Sequence, residues 1–154
     1  MTSGREVEHA LLDVIVREVA AGAPRAVVVR GAPGAGKSAL LRRLRFVAAA
    51  EGFAILDAPR TRSLLCLSGP ALFAVDDLVE AGAQAVSLVT ALLRTPPDGP
   101  LLVAASLPAG PLPRRLRRVL RCAERGETLT AIELAAPVGA GWGRTATMGY
   151  LHAR

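Results

Sequence analysis

Ala26-Val27-Val28-Val29-Arg30-Gly31-Ala32-Pro33-Gly34-Ala35-Gly36-Lys37-Ser38 is the stretch on which the reading of this sequence turns. Ala26 to Arg30 is a short β-branched run of the kind a buried strand shows. Residues 31–38 then satisfy the pattern G-x-x-x-x-G-K-[ST]. From Lys37 to Ala50 the period changes to 3.6, with Leu40, Leu41, Leu44, Val47 and Ala48 on one face and Arg42, Arg43 and Arg45 largely outside it. Strand, glycine loop and helix follow one another in the order the pattern requires. Glycines let the backbone fold tightly enough for successive N–H groups to point inward at phosphate oxygens, and the helix adds the positive end of its dipole. A glycine-rich turn without a ligand is the alternative.

Composition singles out one member of this loop. Of 19 basic residues, 18 are Arg and one is Lys, and that one is Lys37. In a chain that otherwise uses Arg for every positive charge, a retained Lys needs a reason. Lys37 is expected to reach the β- and γ-phosphates of a nucleoside triphosphate, and the Ser38 hydroxyl to complete the coordination of Mg²⁺. The cofactor-binding set is then Gly31, Ala32, Pro33, Gly34, Ala35, Gly36, Lys37, Ser38 and Ala39, with ATP or ADP and Mg²⁺ as the cofactors.

Outward from the loop, Val7, Leu11, Leu12, Ile15 and Val19 recur at helical spacing over Arg5 to Val19, and Gly22 and Pro24 end that helix. Strands are predicted at Phe53 to Asp57, Ala71 to Val75, Leu101 to Ala105 and Thr128 to Leu134, and helices at Gln84 to Arg94 and Arg114 to Arg125. Leu64 to Leu67 is ambiguous. Strands alternating with helices imply right-handed crossovers. The expected fold class is α/β, a three-layer P-loop NTPase-like core with a mostly parallel five-stranded sheet. Residues 1–136 form the nucleotide-binding core in this reading, and 137–154, which have no period, an irregular tail.

The 154 residues suit one domain, and their 51% hydrophobic content with 3% aromatics predicts a core of small aliphatic side chains. No apolar run has the length of a membrane span and no signal peptide opens the chain, so the expected location is cytoplasmic. Cys66 and Cys122 lack ligand spacing and read as packed thiols, while His9 and His152, near opposite ends, read as surface residues.

A second acid completes the site. Ala71 to Val75 is an apolar run closing on Asp76 and Asp77, which delivers carboxylates to the C-terminal edge of the sheet, where ligands of open α/β sheets bind. After a phosphate loop, Asp76 is expected to hold the metal, through water, together with Ser38. Asp77 is a candidate general base for an attacking water, or else a helix-capping residue. Ser106, ending the Leu101 to Ala105 run, is a candidate to sense the γ-phosphate or that water, so the catalytic set is Lys37, Asp77 and Ser106. Arg114, Arg115, Arg117, Arg118 and Arg121 crowd one helix. A solvated face is the plainer reading; an Arg for phosphoryl transfer and a nucleic-acid stripe are the others. With aromatics almost absent, stacking on single strands is poorly supported, and direct nucleic-acid binding is the less expected reading.

The chain resembles the ATPase module of STAND and AAA-like regulators, especially large actinobacterial LuxR-type transcription regulators. The matching pieces are Gly4-Arg5-Glu6, Val27 to Arg30 running into the loop, Val75-Asp76-Asp77-Leu78 and Leu101 to Ser106, within residues 4–136. The resemblance places Arg5 near the adenine. It also implies a protein partner or self-association. The segment between Phe53 and Ala71 is shorter than usual in that family, Val79 and Glu80 replace its common Trp or His, and no helical lid or winged helix follows Leu134, so a truncated core is expected. Slow or partner-dependent hydrolysis follows. The rivals are a nucleotide-dependent switch or scaffold without turnover, a small-molecule phosphotransferase, for which Asp57 would hold the acceptor, and a nucleic-acid protein.

Overall fold

The computed structural model describes residues 5–56, 69–95 and 99–135, and the backbone of 150–151. The elements run α1 (Glu6–Ala20), β1 (Arg25–Gly31), α2 (Lys37–Ala50), β2 (Ala54–Leu56), β3 (Ala71–Val75), α3 (Ala83–Arg94), β4 (Leu101–Pro108), α4 (Arg114–Arg125), β5 (Leu129–Leu134) and β6 (Tyr150–Leu151). The sheet order is β2-β3-β4-β1-β5-β6. The first five strands are parallel; β6 joins the edge antiparallel, pairing Tyr150 with Ile132 and Leu151 with Ala131.

Alternation along the strands explains the layers. On β1, Val27 and Val29 face one helical layer, where they meet Leu12, Val16 and Val19 of α1 and Leu40, Leu41 and Leu44 of α2. Ala26 and Val28 face the other, with Val89, Leu92 and Leu93 of α3 and Leu116, Val119 and Leu120 of α4. A strand covered on both faces reads as a continuous apolar run, which is why Val27-Val28-Val29 carries no polar residue. This is the three-layer α/β arrangement of a P-loop NTPase-like core.

The order places β4 between β1 and β3. The loop after β1 and the acidic turn after β3 therefore open at the same sheet edge with the end of β4 between them, Val29 pairing with Ser106 and Val75 with Ala105. That crevice is where the strand order reverses.

Several elements differ from expectation. Strand β4 continues to Pro108 instead of stopping at Ala105, because Val29, Arg30 and Gly31 of β1 still offer it ladder partners at Ser106, Leu107 and Pro108. Strand β2 is three residues long, and Asp57, Cys66 and His152 lie outside the described residues. Cys122 is exposed, not packed: the buried face of α4 is Leu116, Val119, Leu120 and Ala123, and residue 122 falls off that stripe. His9 is half-buried. Of the tail, only the backbone of the β6 pair is described. No helix among the described residues is long and apolar enough to cross a membrane.

Candidate phosphate-binding site

The loop from Gly31 to Gly36 joins the C-terminal end of β1 to the N-terminal end of α2. Gly31 sits where the chain turns back against β5, so that an added Cβ would lie 3.0 Å from the Ala35 Cβ and 3.1 Å from the Leu134 carbonyl oxygen. Gly36 takes φ 98° at the head of α2, a left-handed conformation that a Cβ disfavours. No side chain caps this helix and no acidic residue stands in its first turn. Its free N–H groups and dipole are therefore turned toward the loop opening.

Lys37 curls over the loop, its Nζ donating to the carbonyls of Gly31 at 2.6 Å and Ala32 at 3.1 Å. The next residue reaches across the crevice. Ser38 Oγ donates to Asp76 Oδ2 at 2.5 Å, joining residues that β4 keeps two strands apart. Asp76 Oδ1 accepts from Ser106 Oγ at 2.6 Å, and Ser106 Oγ in turn accepts the backbone N–H of Asp77 at 2.6 Å. Arg45 leaves the exposed side of α2 to donate to the Ala74 carbonyl at 3.3 Å, which brings its charge near Asp76. Arg45 is half-buried and stays outside the packed face of α2, which is Leu40, Leu41, Leu44 and Ala48.

Burial works against ionisation of Asp76, but hydrogen bonds from Ser106, Ser38 and the Asp77 backbone, with the charge of Arg45, outweigh it and hold the carboxyl below its ordinary range. Asp76 is therefore an anion at neutral pH. A carboxylate and a hydroxyl at the mouth of a phosphate loop form a hard oxygen pair that fits Mg²⁺, whose remaining positions go to phosphate oxygens and water. Among the described residues no cluster of three His, Cys, Asp or Glu side chains offers an all-protein metal cage.

Asp77 turns outward with φ 50°, a conformation Asp tolerates better than most residues, and its side chain is exposed. It does not cap a helix: α3 starts only at Ala83, with Gly82 before it. Together with Lys37 and Ser38, Asp77 lines a cavity of about 630 Å³ above the loop, which Pro33, Gly34, Gly36 and Ala39 also line. Four further residues line the cavity, Arg42, Val79, Glu80 and Pro108, which the sequence reading had not placed there. Arg42 stands four residues after Ser38, one helical turn on, so its arrival was implicit in the spacing.

Ser106, expected to sense the γ-phosphate or the attacking water, is not among the residues lining the cavity. Its side chain is fully buried, and its hydroxyl is engaged with Asp76 and Asp77 because the strand runs past it instead of ending there. Arg5 lies beside the loop: its Nη2 donates to the Ala35 carbonyl and its Nη1 meets Glu8 Oε1 at 3.4 Å. Arg114, Arg115, Arg117, Arg118 and Arg121 are exposed along α4, on the sheet face opposite α2.

No curated protein matches the chain. Among solved structures it is similar to the VirB11 ATPase from the Brucella Suis type IV secretion system in complex with sulphate, at a TM-score of 0.49 and 16% identity over 97% of this chain and 56% of that one. It is also similar to a protein described as an ATPase, at a TM-score of 0.29 and 19% identity over 92% of this chain and 65% of that one. The chain thus spans less than two thirds of the length of either. Residues 3–66, the segment that carries α1, β1, the loop and α2, match the family model of the AAA ATPase domain.

Proposed function

We propose that the chain binds ATP or ADP with Mg²⁺ at Gly31 to Ala39 and hydrolyses ATP slowly or only in response to a partner. The observation that carries this reading is the 2.5 Å contact between Ser38 Oγ and Asp76 Oδ2 at the mouth of the loop. It draws two oxygen donors that a metal can use, one from the head of α2 and one from the turn after β3, to one point. Residues 1–136 form the core of this activity, and a cytoplasmic location, where ATP and Mg²⁺ are at hand, belongs to the reading.

In it the loop N–H groups and Lys37 hold the phosphates, and Lys37 exchanges its loop carbonyls for phosphate oxygens. Ser38 and Asp76 hold Mg²⁺, which when bound neutralises charge on the phosphate oxygens. Asp77 faces the same cavity and takes the proton of the attacking water. Turnover is slow because Lys37 and Arg42 are the cations lining the cavity and few groups there position the water. The finer resemblance, to nucleotide-switched STAND regulators, adds a protein partner or self-association.

Binding of a fluorescent ATP analogue with Mg²⁺, compared between the wild type and Lys37→Ala in one buffer, tests the reading. Binding lost in a mutant that keeps its far-UV circular dichroism supports it. Equal binding by both, or none by a folded wild type, sinks it. Phosphate release with Asp77→Ala then separates hydrolysis from a switch without turnover, since only the former falls.

A further inference from the structure

Glu8 lies in the first turn of α1 and is 3% exposed, a burial that a carboxylate tolerates only with a partner. Among the described residues its partner is Arg5, with Nη1 at 3.4 Å from Oε1. The other arm of the same guanidinium donates to the carbonyl oxygen of Ala35. It also lies over Gly36, where an added Cβ would come within 3.5 Å of Arg5 Nη2. Arg5 is not among the residues lining the cavity above the loop.

A loop that aims its N–H groups inward must turn carbonyls outward, and each needs a donor when shielded from water. The peptide between Ala35 and Gly36 leads into the N-cap residue of α2. Because a trans peptide points its C=O and N–H in opposite directions, a donor fixed on the Ala35 carbonyl sets the aim of the Gly36 N–H. A cationic donor also polarises that peptide, which strengthens the N–H toward an anion. Gly36, at φ 98°, has the torsional freedom to let the peptide swing when nothing holds it.

We propose that Arg5 is a positioning residue for phosphate binding, acting through the Ala35 carbonyl and braced by the buried Glu8, and not a contact to the base. The inference rests on the nucleotide reading above and assigns a task to a residue outside the loop motif. Arg5 clamps the loop from behind, and Glu8 restricts the guanidinium to the rotamer that reaches Ala35.

The test is displacement of a fluorescent ATP analogue by ATP and by inorganic pyrophosphate, which has no base, on the full chain with Mg²⁺. Arg5→Met would leave Glu8 buried and unpaired, so the decisive variant is Arg5→Met with Glu8→Gln, which removes both charges together. Arg5→Lys is the conservative companion. The expected result is a loss of roughly tenfold for both ligands, the size of a charge-assisted hydrogen bond, partly restored in Arg5→Lys. Loss for ATP with pyrophosphate unchanged would make Arg5 a base contact and overturn the inference. So would affinity unchanged for both while Lys37→Ala abolishes binding, an outcome that leaves the nucleotide reading standing. A wild type that binds neither ligand overturns both.

Discussion

Replacing Ser106 by Ala tests the architecture of the site most sharply, because the two readings of this residue predict opposite things. A hydroxyl facing the γ-phosphate can be removed with little effect on folding. A fully buried hydroxyl that donates to Asp76 and accepts from the Asp77 N–H, both at 2.6 Å, cannot. Its loss removes a hydrogen bond to a charged group, about 1.5–3 kcal/mol, and one acceptor of the Asp77 N–H. The two share one atom and do not add fully, so about 3 kcal/mol is the expected destabilisation. For a chain of this length that is a fall in melting temperature of roughly 6–12 °C, read by circular dichroism without nucleotide.

The pH dependence gives the second half of the test. The carboxyl of Asp76 is held below its ordinary range, so the bonds to its charged form stabilise the fold above about pH 4, the unfolded value. That contribution is lost as pH falls through the lower folded value. The gap between wild type and Ser106→Ala should therefore be widest near neutrality and narrow toward pH 3, leaving only the cost of the Asp77 N–H. A melting temperature within about 2 °C of wild type at pH 7 would refute the reasoning and return Ser106 to the phosphate-facing role.

Asp76→Asn keeps the shape and removes the charge, so the gain in nucleotide affinity on adding Mg²⁺ should fall about 10–100-fold while Mg²⁺-free binding is spared, as a magnesium titration would read. Gly36→Ala forces a Cβ into φ 98° beside Arg5, an expected cost of about 1–2 kcal/mol; it should appear as weaker binding of ATP and of pyrophosphate alike. Leu44→Ala opens a cavity where a fully buried side chain packs α2 on the sheet, an expected loss of about 2–5 kcal/mol in urea unfolding. Because Leu44 lies about two helical turns beyond Lys37, that variant should bind nucleotide normally once folded.

The layers were legible because burial on two faces leaves a strong local trace. Val27-Val28-Val29 needs no neighbours to read as a covered strand, and α2 is legible from Leu40, Leu41, Leu44 and Ala48, all of which are buried. The short edge strand Tyr150–Leu151 left no such trace, since two residues carry no period. Cys122 was misplaced for a related reason. On a helix as basic as α4, residue type suggested burial, but position relative to Leu116 and Val119 decided against it.

The site divides along a different line. Lys37, Ser38 and Asp76 were named from sequence because each belongs to a contiguous motif whose spacing is the geometry. Arg5, Arg45 and Ser106 act through space, on Ala35, Ala74 and Asp76, and no spacing along the chain encodes those pairings. They do share one physical property. Each is a polar group at least partly withdrawn from solvent, and such a group persists only where it satisfies another. Ser106, alone in the run Leu101 to Leu107 without an apolar side chain, must find partners at the level of the sheet edge, and the order β3-β4-β1 offers it the acidic turn beside it. Glu8, buried at the start of α1, must find a cation, and Arg5 is three residues away. The supporting groups of this site are therefore readable as buried polarity once the strand order is known. Until then Arg5 and Ser106 can be named as candidates, but not the groups they act on.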